Sequence, residues 1–133
     1  MKNYLRRVHL IAGLLTLLIF PLSGAYMRIY LADEFAASDR LRFSIRANHI
    51  YILLSALIHI SIGSYLRVCA KHRWANMQIA ASLPLFISTT LVIAAFFAES
   101  KTGIDRPVVL LAMVLASVGT LSHAIIAFKE GNY

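Results

Sequence analysis

Apolar residues are grouped along this chain into four long runs that are separated by three short polar segments. The runs cover residues 8–29, 47–66, 75–98 and 107–128. Each is close to the ~20 residues that a helix needs to cross ~30 Å of hydrocarbon. A helix also satisfies its own backbone hydrogen bonds in lipid, which an open sheet cannot do. The pattern therefore predicts an all-α integral membrane protein, a bundle of four transmembrane helices that forms a single domain over 1–133.

The composition agrees with this prediction. The 133 residues are 59% hydrophobic, and the mean hydropathy is +0.72, above that of a soluble globular chain. Thirteen Lys and Arg against six Asp and Glu give a net charge of +7. Because these basic residues cluster at the ends of the apolar runs, anionic lipid headgroups are favoured as partners and nucleic acid is not. The single cysteine, Cys69, excludes an internal disulfide.

The distribution of lysine and arginine predicts the orientation of the bundle. Seven of these residues fall on the side of the two termini, and six fall on the other side. Lys2, Arg6 and Arg7 precede the first run, which usually dominates the orientation. We therefore expect both termini to lie in the cytoplasm.

Four of the five histidines lie inside the apolar runs, and ionisable side chains in such positions indicate function. At 1.5 Å per residue, His9, His59 and His123 lie about 7–10 Å inside the end of the bundle that carries the termini. They belong to three different runs, whereas His49 lies toward the opposite end. The sequence therefore predicts one layer of the bundle with three histidines.

Each of these three histidines has a glycine four residues away, on the same helix face. The pairs are His9 with Gly13, His59 with Gly63, and His123 with Gly119. Two interpretations remain open. The glycines leave room for a flat porphyrin whose iron binds the imidazoles, or they let two helices pack closely while the histidines form hydrogen bonds between helices.

Three stretches, RRVHLIAGLL, RANHIYILLSAL and VGTLSHAIIAF, resemble the bacterial inner-membrane cytochrome b family of the five-six-one type. Members of that family are four-helix dihaem proteins that pass electrons from quinol. The resemblance implies haem b with His9 and His123 as axial ligands, a multi-pass protein of the bacterial inner membrane, and quinol and other membrane redox proteins as partners. Arg6 and Arg7 would then lie where they can pair with haem propionates.

The resemblance also assigns His49 to a second haem near the other side of the membrane. The outer half of the last run, RPVVLLAMVLA, has no histidine to serve as its second ligand. Met113 lies there at a height from which it could face His49, and His/Met ligation of haem is chemically possible. His59 has no counterpart in the family, and it could replace His9 opposite His123 or form a hydrogen bond beside the ligands.

The leading hypothesis is therefore a membrane b-type cytochrome, an electron-transfer oxidoreductase with a bis-histidine haem near the cytoplasmic side. A copper-handling protein is an alternative, since Met27, His49 and Met113 supply thioether and imidazole ligands toward the outer ends of their helices. A non-catalytic accessory subunit or assembly factor of a larger membrane complex is another. A transporter with a kink at Pro84 is a fourth. All are compatible with a homo-oligomer.

Overall fold

The computed structural model describes residues 4–66, 72–99 and 106–130, and these ranges contain helices and no strand. The helices are α1 (Tyr4–Tyr30), α2 (Ala32–Ala37), α3 (Asp39–Tyr65), α4 (His72–Ala98) and α5 (Pro107–Glu130). All except α2 are long and apolar enough to cross a membrane, which confirms the predicted architecture of four apolar helices. Lys2 and Cys69 lie outside the described residues.

The helices extend beyond the predicted apolar runs. The second run was predicted to begin at residue 47, whereas α3 begins at Asp39. The hydroxyl of Ser38 accepts a hydrogen bond from the backbone N–H of Leu41 at 3.3 Å and so caps the helix start. Hydropathy marks only the part of a helix that lies in hydrocarbon, and the backbone hydrogen bonds continue past it. For the same reason the six-residue α2, which is polar at its start, was not predicted.

The bundle consists of two antiparallel pairs, α1 with α3 and α4 with α5, which meet mainly through α3 and α4. Two glycines determine how closely the helices of the first pair approach each other. A Cβ on Gly13 would lie 2.7 Å from Cγ1 of Ile60, and a Cβ on Gly63 would lie 2.6 Å from Cγ of Leu10. Both distances are far below van der Waals contact, so α1 and α3 approach as closely as they do only because these positions have no side chain.

Gly119 has the same role in the second pair. A Cβ there would lie 2.6 Å from Cγ of Leu85 and 3.0 Å from the carbonyl oxygen of Ala81. The glycine face of α5 is therefore covered by α4. At all three histidine–glycine pairs the small residue is used for close helix packing.

Buried apolar side chains fill the half of the bundle away from the termini. We call this group the apolar core cluster. Its members are Met27, Leu31, Ile45, Ile52, Val92, Phe96 and Ala112. The members come from all four spanning helices and from Leu31, which follows α1. The buried hydroxyl of Ser88 donates to the carbonyl oxygen of Ala112 at this level, at 2.7 Å.

Polar groups close the end of the bundle beyond the apolar core cluster. The guanidinium of Arg106 donates to the carbonyl oxygen of Ser44 at 2.8 Å and to the side-chain oxygen of Asn48. The Asn48 amide in turn donates to the carbonyl oxygen of Ala95 at 3.3 Å. The carboxylate of Glu99 accepts from the backbone N–H of Val108 at 2.7 Å and so caps the start of α5. These bonds join α3, α4 and α5 at this end.

Replacement of Gly13 by alanine is expected to separate α1 from α3 and to destabilise the protein by about 1–3 kcal/mol, the usual cost of overpacking. The measurement is the thermal unfolding midpoint of the purified protein, followed by helical circular dichroism. Gly24→Ala on the same helix is the matched control, because its Cβ would meet only the His49 ring, at 3.3 Å. Equal destabilisation by both substitutions would contradict the assigned role of Gly13.

Candidate functional site: a buried histidine layer

The structure brings His9, His59 and His123 together near the end of the bundle that carries Tyr4 and Tyr65. Their side chains are 0%, 1% and 7% exposed. The ring centroids of His9 and His59 are 4.9 Å apart, and those of His9 and His123 are 5.8 Å apart. We call these three residues the histidine layer.

Direct and shared hydrogen bonds connect the three rings. Nδ1 of His9 lies 2.8 Å from Nδ1 of His59. Nε2 of His9 and Nε2 of His123 lie 2.9 Å and 3.1 Å from the same hydroxyl, that of Ser82. Ser82 also donates to the carbonyl oxygen of Gln78 at 2.8 Å. Ser82 on α4 therefore joins α1 to α5 through their histidines.

A second hydroxyl of α4 binds the other side of the layer. Nε2 of His59 lies 2.9 Å from Oγ1 of Thr89, which is also 2.6 Å from Oγ of Ser55. Thr89 donates to the carbonyl oxygen of Leu85 at 2.9 Å. A continuous chain of six side chains thus runs from Ser55 to His123 across four helices.

Sequence reasoning noted Pro84 of this helix only as a kink and missed the bonds of its neighbours Ser82 and Thr89 to the histidines. A usable signal was present. The two residues are seven positions apart, so they lie on one face of α4. Both are buried, at 2% and 8% exposure. Hydroxyls on the face that packs against the other helices are the polar partners available to a buried imidazole.

One arrangement of the hydrogens agrees with all of these contacts. In it, Thr89 donates to the carbonyl oxygen of Leu85 and accepts from both Ser55 and His59. His59 therefore carries its hydrogen on Nε2, and its Nδ1 is an acceptor while the ring is neutral. His9 must then donate through Nδ1, which leaves its own Nε2 as an acceptor.

Ser82 has one hydrogen and two acceptors within reach in this arrangement. They are Nε2 of neutral His9 and the carbonyl oxygen of Gln78. His123 supplies its own Nε2 hydrogen to Ser82. The chain makes seven side-chain contacts at hydrogen-bond distance, and its six side chains hold six hydrogens while the three imidazoles are neutral.

Two further features complete the surroundings of the layer. Phe86 packs against the rings of His9 and His59, with centroid distances of 4.9 Å and 4.8 Å. Nδ1 of His123 is buried and has no hydrogen-bond partner among the described residues, so the layer retains one unused acceptor nitrogen.

The arginines near the layer face the membrane surface. Arg6 donates to the carbonyl oxygens of Gly63 and Ser64, at 3.3 Å and 3.0 Å, and so ties the start of α1 to the end of α3. Arg7 is exposed. Arg6 is the charged residue one turn before His9 on α1, and the groups that face His9 from the other three spanning helices are His59, Ser82 and His123.

The histidine layer in this packing does not fit a haem. Nε2 of His9 and Nε2 of His123 point to the same hydroxyl, so Ser82 occupies the space between the two expected iron ligands. The faces of Gly13 and Gly119 that a porphyrin would cover are already filled by α3 and α4. The implied site for haem b therefore lacks the flat space that the ring needs, and no chemistry is derived through it.

The residues considered for copper are dispersed among other contacts. Nδ1 of His49 lies 2.8 Å from the hydroxyl of Ser23, and its ring stacks on Phe20 with a centroid distance of 4.1 Å. Met27 belongs to the apolar core cluster, and Met113 packs against that cluster. Within residues 4–66, 72–99 and 106–130, no three His, Cys, Asp or Glu side chains are placed to hold a metal ion.

Together the fold and the site define a class: an α-helical protein with four apolar helices suited to span a membrane and a buried histidine layer between them. No family model, curated protein or solved structure matches this chain. Its function is therefore argued from the chemistry of the histidine layer.

Replacement of Ser82 by alanine is expected to destabilise the protein by about 1–3 kcal/mol, because two buried imidazole nitrogens lose their shared partner. Ser117→Ala is the matched control. Ser117 also donates to the carbonyl oxygen four residues earlier, at 2.9 Å, but it is exposed and touches no histidine. Its replacement is expected to change the stability by less than about 0.5 kcal/mol. Chemical unfolding of both variants checks the difference, and equal losses would show that Ser82 is not a hub of the layer.

Proposed function

We propose that this protein is a membrane proton acceptor, in which the histidine layer takes up one proton and shares it between His9 and His59. The observation that carries the proposal is the count of hydrogens: seven contacts at hydrogen-bond distance share six hydrogens. A single added proton completes the chain. Histidine is suited to this role because its ring can carry a hydrogen on one nitrogen or on both.

The proton enters and leaves from the side of the membrane that carries the termini. His9 lies five residues after Tyr4, the first residue described in α1, which is about 7–8 Å along the helix. On the other side of the histidine layer, the apolar core cluster separates it from the polar end formed by Asn48 and Arg106. The distribution of lysine and arginine favours a cytoplasmic location for the side that carries the termini, and we adopt it as part of the proposal.

Protonation changes the bonds between the two helix pairs. In the neutral layer the hydrogen of Ser82 is divided between His9 on α1 and Gln78 on its own helix. A protonated His9 donates through Nε2, so that Ser82 can give its hydrogen entirely to Gln78. Lipid tails provide no hydrophobic force between helices, and polar contacts of this kind therefore weigh heavily in their packing. The site thus suits a proton-responsive accessory subunit of a larger membrane complex, one of the functions that the sequence left open.

Titration of the ring nitrogens tests the proposal directly. In protein labelled with ¹⁵N-histidine, nitrogen shifts are recorded by NMR from alkaline to acidic pH, and each resonance is assigned by a single His→Gln variant. We expect neutral His9 to carry its hydrogen on Nδ1 and neutral His59 on Nε2. We expect the two rings to titrate together and take up one proton, because they are joined through their Nδ1 atoms.

The control for this titration is His49→Gln, since His49 bonds to Ser23 at the other end of the bundle. It should leave the titration of His9 and His59 unchanged. Independent titration of these two rings, uptake of two protons by the pair, or the opposite tautomers would overturn the proposal.

The cytochrome hypothesis makes a different prediction and can be separated from this one by a spectrum. Protein expressed with haem supplied is expected to show no Soret band and no α-band after reduction by dithionite, because Ser82 lies between His9 and His123. Protein with the Ser82→Gly substitution is the control, because it removes the side chain that lies between His9 and His123. A haem spectrum of the unmodified protein that is lost in His9→Gln and in His123→Gln would support the bis-histidine cytochrome and reject the proton-acceptor proposal.

A further inference from the structure

A basic recess lies on the first two turns of α3, at the end of the bundle opposite the termini. It is a shallow cavity of about 550 Å³, and its lining residues are Asp39, Arg40, Arg42, Phe43 and Arg46. The Arg42 guanidinium pairs with the Asp39 carboxylate at 2.6 Å. Arg40 and Arg46 are exposed and add two further positive charges to the recess. The recess therefore attracts an anionic group.

An exposed apolar column continues from this recess along the same face of α3. Arg46, Ile50 and Leu54 are spaced four residues apart and so lie one above another on the helix. Ile50 is 58% exposed and Leu54 is 45% exposed. From Arg46 to Leu54 the column runs about 12 Å into the hydrocarbon. Phe43, 77% exposed, lies beside the arginines at the level where the column begins.

The column leads into a second recess, a groove of about 380 Å³ between α3 and α5. Leu54 belongs to both the column and the groove, and Ile58 continues the α3 wall. On α5 the groove is lined by Met113, Ala116, Ser117, Thr120 and Leu121, of which Ala116 and Ser117 are small. α3 and α5 make little direct contact with each other, so the groove between them is open to the lipid.

We propose that this face of α3 binds an anionic phospholipid, with its phosphate in the arginine recess and one acyl chain in the groove between α3 and α5. Guanidinium groups bind phosphate oxygens through paired N–H donors, and the arginines of the recess provide such groups. The apolar column and the groove suit a chain covalently attached to that phosphate, which a free phosphate ion does not have. Because the one acid of the recess is already paired with Arg42, a zwitterionic headgroup finds no partner for its cationic part. The inference is independent of the proton-acceptor proposal, since it uses none of the same residues.

Native mass spectrometry of the full chain in micelles tests the proposal with two lipids of identical acyl chains, phosphatidylglycerol and phosphatidylcholine. We expect retention of phosphatidylglycerol over phosphatidylcholine. Arg46→Gln and Arg40→Gln should each weaken phosphatidylglycerol binding about fivefold, the effect of one basic residue at a membrane surface. The matched control is Arg73→Gln, an exposed arginine at the other end of the bundle, which should leave the binding unchanged.

The acyl-chain half of the site is tested by Ser117→Leu, which fills the groove. It should weaken the binding of both lipids without changing the preference between them. Val118→Leu, on the exposed face of the same helix and outside the groove lining, is its control and should have no effect. Inorganic phosphate is added as a competitor in a separate arm.

The outcomes separate the alternatives. Equal weakening by Arg46→Gln and Arg73→Gln would show general attraction by surface charge and would overturn the proposal. Displacement of phosphatidylglycerol by an equal concentration of inorganic phosphate would show a site for the phosphate group alone, and would also overturn it. Loss of binding in Arg46→Gln and Ser117→Leu, with both controls unchanged and no displacement by phosphate, is the result that the proposal requires.

Discussion

Hydrocarbon cannot hydrogen-bond to an imidazole, and this constraint organises the histidine layer. Each of the rings of His9, His59 and His123 lies almost entirely away from solvent, so its nitrogens depend on other side chains of the bundle. The hydroxyls of Ser82 and Thr89 provide partners for the Nε2 atoms of all three rings, and both come from α4. The helix that carries no histidine inside its apolar run is therefore the one whose hydroxyls bind the layer histidines of the other three.

Close helix packing is the condition for this arrangement. The bonds in the layer are short, between 2.6 and 3.1 Å, and short side chains such as serine and threonine reach across a helix interface only when the backbones are near each other. Gly13 and Gly63 bring α1 and α3 together, and Gly119 brings α5 against α4. The glycines let the helices approach closely, and the hydroxyls then reach across the short distance that remains. The two sets of residues therefore depend on each other.

The bundle has a network of polar side chains at each end of its interior and a mostly apolar core between them. The histidine layer lies on the side of the termini, the apolar core cluster follows it, and the bonds of Arg106 and Asn48 close the other end. This order gives the two polar regions different properties. The region around Arg106 consists of the permanently charged guanidinium and the capped start of α5, and its bonds hold α3, α4 and α5 together. The histidine layer consists of imidazoles and hydroxyls joined by side-chain hydrogen bonds, and it is the part of the interior that the proton-acceptor proposal concerns.

Hydropathy was sufficient to predict the four apolar helices, because the cost of an unsatisfied backbone in lipid leaves a long apolar run one solution. The regular rise of a helix likewise placed three histidines at one depth without any knowledge of packing. The partners of those histidines depended on which helix faces meet, and periodicity along one chain does not determine that. A glycine beside a histidine has the same appearance whether its space is filled by a porphyrin or by a neighbouring helix. Only the tertiary structure decided this question, because Ile60, Leu10 and Leu85 reach these glycines from residues distant in the sequence.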